Sequence, residues 1–168
     1  FQKSQMTKSK ILFFGKLPPP FIGPAVATNI ILNSKLNDFY ELIHFDTSHH
    51  KNMSDFQSFS MNKIIYAFKK YFKLFFKILI ERPSIVYIPS MQSTFSFIRD
   101  IPFFIIVKIF RKKLVLHLRG GYFKNWYRYE CNFLMKFVIK SSYKLVDAQI
   151  VLGENLRDLF SDVLPKDK

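Results

Sequence analysis

The chain has 168 residues, of which 49% are apolar and 21 are phenylalanine, so a packed globular domain is expected and a largely disordered chain is excluded. Cys131 is its single cysteine, which rules out an intrachain disulfide and fits a reducing compartment. The 26 Lys and Arg against 12 Asp and Glu give a net charge of +14, which indicates an acidic partner: nucleic acid, anionic lipid or a phosphorylated substrate. No apolar run approaches the ~20 residues needed to cross a bilayer.

Short apolar runs alternate with longer segments of helical periodicity. After residues 1–9, which we interpret as a leader or cloning remnant, the pattern predicts a single α/β domain over residues 10–164. The strands lack polar alternation, which favours a parallel sheet covered on both faces in a doubly wound, Rossmann-like fold. Strands are predicted at Lys10–Gly15, Glu41–Asp46, Ile85–Pro89, Leu114–Leu118 and Ala148–Leu152. Helices are predicted at Pro24–Asn37, Asn62–Glu81, Thr94–Phe110, Lys124–Tyr143 and Glu154–Phe160.

The first strand leads through a loop rich in proline and glycine into a helix that begins near Pro24. A helix N-terminus at this position favours a bound phosphate, through its unpaired N–H groups and its dipole. The loop lacks the GxGxxG and GxxxxGK[ST] patterns, so dinucleotide-binding and P-loop functions are unsupported.

The connection Thr47–Ser60 is long and polar, and it contains His49 and His50. These histidines have no Cys or acidic residue at ligand spacing, so we interpret them as exposed loop residues and predict no metal site.

The helix Asn62–Glu81 carries a row of lysines along one side. On a helical projection the lysines fall within roughly 120°, and the apolar surface extends over roughly 200°, wider than packing on a sheet requires. The lysines are Lys63, Lys69, Lys70, Lys73 and Lys77, and the opposite side carries Ile64, Ile65, Phe68, Phe72, Phe75, Phe76 and Leu79, with Tyr71, Leu74 and Ile78 beside it.

Two interpretations of this helix remain open. It is either an ordinary crossover helix with a solvated basic face, or a helix at the surface of an anionic membrane with Lys69, Lys70, Lys73 and Lys77 facing the lipid. Nucleic acid is a weaker candidate, because only Tyr66 lies among the lysines, whereas nucleic-acid surfaces interleave aromatic and basic residues.

The segment Leu114–Tyr127, LVLHLRGGYFKNWY, places polar residues at the end of a buried strand. His117 is positioned to act as a base or to bind a hydroxyl, although a lone strand histidine is often a satisfied core residue. Arg119 could bind a phosphate, and Gly120 and Gly121 would allow close approach of a ligand to the backbone. Ligands of doubly wound sheets bind beyond the carboxyl ends of the strands, so Gly15–Gly23, Ser90–Ser93 and Arg119–Phe123 should share one crevice, with Ser90 and Gln92 as further contacts.

Three segments in this order, the PPPFIGP loop, LHLRGGYF and VDAQIVLGENLRDLF, together resemble the N-terminal half of a retaining GT-B glycosyltransferase of the bacterial polysaccharide and lipopolysaccharide type. The resemblance implies a Rossmann-like acceptor-binding lobe whose donor-binding partner, a second lobe with a paired-glutamate motif, lies outside this chain. Gly23 matches a glycine of the loop near the donor diphosphate, and Pro24 stands where the family often has a second glycine. His117 matches the first histidine of an HxHG motif, Arg119 replaces the second, and Gly120 matches the glycine.

The resemblance implies transfer of a sugar from a nucleotide-sugar co-substrate to a glycan or lipid-linked acceptor, with no metal or other cofactor. His117 would contact the transferred sugar, and Gly23 and Pro24 would lie near the diphosphate. With the basic helix, it implies a cytoplasmic protein, peripheral at the inner face of the membrane. The chain alone is expected to bind acceptor better than donor and to have little transfer activity. The alternative is a non-enzymatic basic α/β module that binds anionic membrane or nucleic acid.

Overall fold

A computed structural model describes residues 8–48 and 61–164, and within the helix that begins at Met61 it describes only the backbone of residues 61–64 and 66. His49 and His50, and the side chains of Lys63, Ile64 and Tyr66, therefore lie outside the described residues. None of the helices in these two ranges is long and apolar enough to span a membrane.

Five parallel strands form one sheet in the order β2-β1-β3-β4-β5, which confirms the α/β fold and the parallel, Rossmann-like sheet. The chain reverses direction across the sheet between β1 and β3, which makes this pair the topological switch point of the fold. The strands are β1 (Ser9–Gly15), β2 (Tyr40–Asp46), β3 (Ile85–Ser90), β4 (Lys113–Leu118) and β5 (Ala148–Ile150).

In the described part of the chain, six α-helices accompany the sheet, with a π-helix at Trp126–Glu130 and a 3-10 helix at Glu154–Phe160. They are α1 (Gly23–Leu32), α2 (Leu36–Phe39), α3 (Met61–Glu81), α4 (Thr94–Ile109), α5 (Phe123–Asn125) and α6 (Phe133–Tyr143).

Two predicted helices are broken by short polar side chains. The prediction of one helix over Pro24–Asn37 is wrong, because the Ser34 hydroxyl donates to the Ile31 carbonyl at 2.7 Å and competes with the helical pattern after Leu32. The prediction of one helix over Lys124–Tyr143 is also wrong, since Asn132 caps a new helix by accepting from the Met135 N–H at 2.8 Å.

The two faces of the sheet are covered unequally. On one face, α3, α4 and α6 pack over alternate strand residues, and most of the buried core lies there; we call this the three-helix face. Its strand residues include Leu12, Phe14, Phe45, Val86, Ile88, Leu114, Leu116 and Leu118. On the other face, α1 packs against a small cluster around Ile11, Phe13 and Tyr87; we call this the α1 face.

Candidate functional site

The three loops that were expected to share one crevice do lie together at the carboxyl ends of the strands. The Arg119 guanidinium donates to the Pro24 carbonyl at 2.9 Å, which joins the loop after β4 to the start of α1. The Tyr122 N–H donates to the Gln92 side-chain oxygen at 2.7 Å, which joins the same loop to the one after β3. The loops after β3 and β4 and the start of α1 therefore lie side by side at one end of the sheet, as the strand order predicts.

Tyr87 is the centre of a polar network at the base of this crevice. Its hydroxyl accepts from Arg119 Nη2 at 3.2 Å and is hydrogen-bonded to His117 Nδ1. Sequence reasoning missed Tyr87, although a tyrosine two residues before the polar end of an otherwise aliphatic strand was the available signal. The network brings His117 and Arg119 together, as expected if strand alternation persists to residue 119.

The network favours the tautomer of His117 that carries its hydrogen on Nε2, because the Tyr87 hydroxyl proton then has an acceptor in Nδ1. Since Arg119 can only donate, the Tyr87 oxygen accepts that bond and its own proton is free to go to His117 Nδ1. Burial raises the pKa of Tyr87, against the opposing effect of Arg119, so the hydroxyl keeps its proton. The neutral imidazole then carries its hydrogen on Nε2, a buried atom with no hydrogen-bond partner among the described residues.

Burial is the main cause that lowers the pKa of His117, and the Arg119 charge lowers it further. The imidazole is therefore neutral at pH 7 and can act as a hydrogen-bond donor through Nε2. It is better suited to holding a ligand oxygen than to donating a proton to a leaving group.

Arg119 is held firmly in place by protein groups. Besides the Pro24 carbonyl and Tyr87, it donates to the Thr28 hydroxyl at 3.1 Å, and Thr28 itself is fully buried. Its Nε is buried without a partner among the described residues, so one N–H remains for a ligand acceptor.

The start of α1 offers few donors for a phosphate. Pro24 has no N–H, and the N–H groups of Ala25 and Val26 both donate to the Ile22 carbonyl at 2.9 and 3.0 Å. Gly23, at the first helical position, has open space where a side chain would begin, so a ligand can approach it. The loop can therefore shape one wall of the crevice, but its backbone is a weak anion site.

Gly120 and Gly121 lie in different surroundings. A Cβ on Gly120 would come within 2.6 Å of the Gln92 side-chain nitrogen, so this glycine permits the contact between the two loops. Gly121 has open space around it. Ser90 is on the three-helix side of β3, 3.4 Å from the Tyr143 hydroxyl, and therefore faces away from Tyr87 and His117.

The basic helix, α3, buries a different side from the one that the sequence pattern predicted. Tyr71, Leu74 and Ile78 pack on the three-helix face, and Lys70 is buried with them. The prediction that Lys70 faces a membrane is wrong, because its ammonium donates to the carbonyls of Thr47 and Ser48 at 2.6 and 3.1 Å. Burial lowers the pKa of Lys70 to about 8, although Asp46 opposes the change.

The remaining three lysines lie at the surface or at its edge. Lys69 and Lys73 are exposed, with Lys73 also 5.6 Å from the centre of the Phe45 ring. Lys77 is half-buried and pairs with Glu81 at 3.8 Å.

The apolar residues opposite the buried side of α3 are exposed to solvent. Phe72 is 64% exposed, whereas Leu74 is fully buried. The same arrangement recurs on the two neighbouring helices of this layer, and we call the whole set the apolar outer surface. It comprises Ile65, Phe68, Phe72, Phe75, Phe76, Leu79 and Ile80 of α3, Ile98, Ile105 and Ile109 of α4, and Phe133, Leu134 and Phe137 of α6.

The chain matches no protein-family model, and no curated protein or solved structure is significantly similar to it.

Proposed function

We propose that this chain is the acceptor-binding lobe of a retaining, metal-independent glycosyltransferase that works on a membrane-associated glycan or lipid-linked acceptor, with a nucleotide-sugar as donor. The observation that carries the proposal is the Arg119–Tyr87–His117 network at the switch-point end of a parallel sheet. It leaves two buried donors, His117 Nε2 and Arg119 Nε, without partners among the described residues.

In this proposal the chain's residues position the reactants and hold oxygen atoms. His117, neutral and donating through Nε2, holds a sugar oxygen, while Arg119 faces the acceptor or a phosphate from a fixed position. Gly120 and Gly121 let the acceptor approach the backbone after β4, with Gln92 beside them. Gly23 and Pro24 form the wall near the donor diphosphate, and the donor's main binding surface belongs to a second lobe of the same protein.

The test uses nuclear magnetic resonance of the chain with two probes, UDP-glucose as donor and a farnesyl-diphosphate-linked N-acetylglucosamine in detergent micelles as acceptor. We expect the acceptor to perturb the amides of Gly120, Gly121 and Ser93 at lower concentration than the donor does, and we expect little sugar transfer. His117→Gln and Arg119→Gln should each weaken the acceptor effect about tenfold or more, because each removes a buried donor. Empty micelles serve as the control.

The proposal is contradicted if neither probe perturbs these loops beyond what empty micelles do. Robust sugar transfer by the 168 residues alone would contradict the assignment of the donor site to a second lobe.

The membrane part of the proposal is supported by the apolar outer surface. Exposed apolar side chains that cluster on a monomer often mark a site of membrane or protein contact. The exposed side chains of α3 lie opposite its buried side, with Lys69 and Lys73 along one flank, and this is the arrangement of a helix in the plane of a lipid surface. The net charge of +14 favours anionic lipid.

Co-sedimentation with vesicles tests this part. We expect binding to phosphatidylcholine vesicles that contain 30% phosphatidylglycerol, and much weaker binding without it. The triple variant Phe68→Ser, Phe72→Ser and Phe76→Ser should bind on the order of a hundredfold more weakly, since three phenyl groups no longer leave water. Lys69→Gln with Lys73→Gln should cost about fivefold per lysine.

The matched control is Lys35→Gln with Lys144→Gln, which removes the same charge from exposed positions outside α3. Equal binding by the triple serine variant and the unchanged chain would exclude α3 as the contact. Loss of binding in the control pair equal to that in the α3 pair would show that net charge alone is responsible.

A non-enzymatic membrane-binding module is the second candidate function. The observation in its favour is that most polar groups at the crevice are already used within the protein: Arg119 donates to three protein groups, and the Gln92 oxygen accepts from the Tyr122 N–H. Vesicle binding without any response of the crevice amides to the sugar probes would favour this candidate.

A further inference from the structure

A groove runs along the α1 face of the sheet beside α1, and nothing among the described residues fills it. Its volume is about 330 Å³, within the range of small-molecule sites. Its walls come from β1, β3, β4 and β5 on one side and from the ends of α1 and α2 on the other. They include Phe13, Ile31, Ile85, Val115, Ile150 and, at the end nearest the crevice, His117.

The groove exists because the α1 face is only partly covered. α1 packs over β1, and Ile11 and Phe13 are buried there. Among residues 8–48 and 61–164 no helix covers β4 and β5 on this face, where Val115 is half-buried and Ile150 is 41% exposed. After β5 the chain turns to the opposite side, where Phe160 packs against Phe123 with ring centres 4.3 Å apart.

The lining is almost entirely hydrocarbon, with hydroxyl groups and one imidazole as its polar parts. The Tyr87 hydroxyl is already committed to Arg119 and His117 Nδ1. Tyr40 contributes the second hydroxyl, and His117 Nε2 is the buried polar atom of the lining that has no partner among the described residues.

We propose that this groove is a binding site for a small, uncharged and mainly apolar molecule that carries one hydrogen-bond acceptor, with the acceptor bound by His117 Nε2. The apolar body lies over Val115, Ile85 and Ile150 and displaces water from them. The imidazole edge forms part of the wall, so the acceptor reaches Nε2 after a small rotation of the ring about its soft terminal torsion. A charged molecule is disfavoured because the hydrocarbon lining offers no group to replace its hydration.

This inference does not require sugar transfer, since it uses only the groove and the hydrogen-bonding state of His117. Because Nε2 carries one hydrogen, a molecule bound in the groove and the sugar oxygen of the proposed function would compete for it. A ligand in the groove would place its polar end at the base of the crevice, beside Tyr87 and Arg119.

Two rigid probes of nearly equal shape, 1-indanone and indane, test the proposal by NMR titration of the whole chain. The probes differ in a carbonyl group. We expect both to perturb the amides of Val115, Ile85 and Phe13, and 1-indanone to bind about three- to tenfold more tightly, the contribution of one buried hydrogen bond.

Two variants separate the parts of the proposal. His117→Leu should abolish the preference for 1-indanone while indane still binds, because the cavity stays apolar. Val115→Trp should abolish the binding of both probes by filling the groove. The control Ile30→Trp adds the same side chain at an exposed position of α1 outside the groove lining and should change neither affinity.

If neither probe binds the unchanged chain, the proposal is overturned. This holds also if the probes fail because a second copy of the chain occupies the groove. Equal affinity of the two probes, or a preference that survives His117→Leu, would overturn the role of His117. Unfolding curves of each variant identify any that fails to fold, and Ile150→Trp then replaces Val115→Trp.

Discussion

The two faces of this sheet are built from the same strands but are completed to different degrees. On the three-helix face, side chains such as Leu114 and Leu116 are fully buried under α3, α4 and α6. On the α1 face, Val115 and His117 of the same strand stay half-buried beside a groove. The difference shows that neighbouring residues of one strand can serve separate purposes, with stability on one face and a binding surface on the other.

The largest expected effect compares two neighbouring residues of β4. Leu116→Ala should lower the free energy of unfolding by about 2–5 kcal/mol, because it leaves a cavity in a fully covered core. Val115→Ala should cost about 1 kcal/mol or less, since the removed methyl groups already line an open groove. Urea denaturation of both variants measures the difference, and equal losses would contradict the unequal covering of the two faces.

A second comparison concerns two glycines at the ends of the first loop. A Cβ on Gly15 would lie 2.4 Å from the Thr28 methyl group, so Gly15→Ala should destabilise the fold by about 1–3 kcal/mol through overpacking against α1. Gly23→Ala meets no atom within 4 Å and should stabilise the helix by about 0.5 kcal/mol. Thermal unfolding compares them, and a neutral Gly15→Ala would show that α1 is loosely attached.

The buried amine of Lys70 on the three-helix face makes the stability of the fold depend on pH. Because burial lowers the pKa of Lys70 to about 8, the unfolded chain binds more protons than the folded one between pH 8 and the usual lysine range. Stability from this residue should therefore rise with pH across that window, on the order of 1 kcal/mol per pH unit. Unfolding of Lys70→Met at pH 7.5 and 10 should lack this rise, and the unchanged chain provides the reference.

The smallest effect is expected at His117 on the α1 face. Burial first, and Arg119 second, lower its pKa, so the imidazole should titrate below the usual histidine range in NMR. Its contribution to stability is complete above the pKa of the unfolded histidine, about 6.5, and falls as the pH drops toward the folded pKa. Arg119→Gln should raise the folded pKa only part of the way, because burial remains.

For His117, an unchanged pKa in Arg119→Gln would contradict the influence of the Arg119 charge on the imidazole. A pKa at or above the usual histidine range in the unchanged chain would contradict the burial of the imidazole.

The strand segments could be predicted because each is short, apolar and bounded by turn residues, and all five appear in the sheet within a few residues of the predicted ends. Helix ends were harder to predict. Ser34 and Asn132 interrupt helices through single side-chain hydrogen bonds, which compete with helical periodicity by small energies that the pattern alone does not reveal.

Part of the candidate site could be predicted from the order of strands and helices. Loops that follow parallel strands must meet at one edge, so the proximity of Arg119, Gln92 and the first loop followed from the element order. The partner of His117 did not, because Tyr87 lies on a neighbouring strand and the pairing register decides which side chains meet. Ser90 was predicted to follow β3 but is its last residue, and strand alternation turns its side chain to the three-helix face.

The alternation of strand and helix, the excess of positive charge and the surplus of apolar residues on α3 all follow from the order of residues along the chain. How that surplus is used follows from the folded structure, because periodicity defines an apolar surface but does not say which part of it packs. In the folded chain Leu74 and Ile78 reach the core, Lys70 is drawn in with them, and Phe68 and Phe72 remain outside. The path of the chain over the sheet makes that choice, since each helix can turn only one side toward the strands.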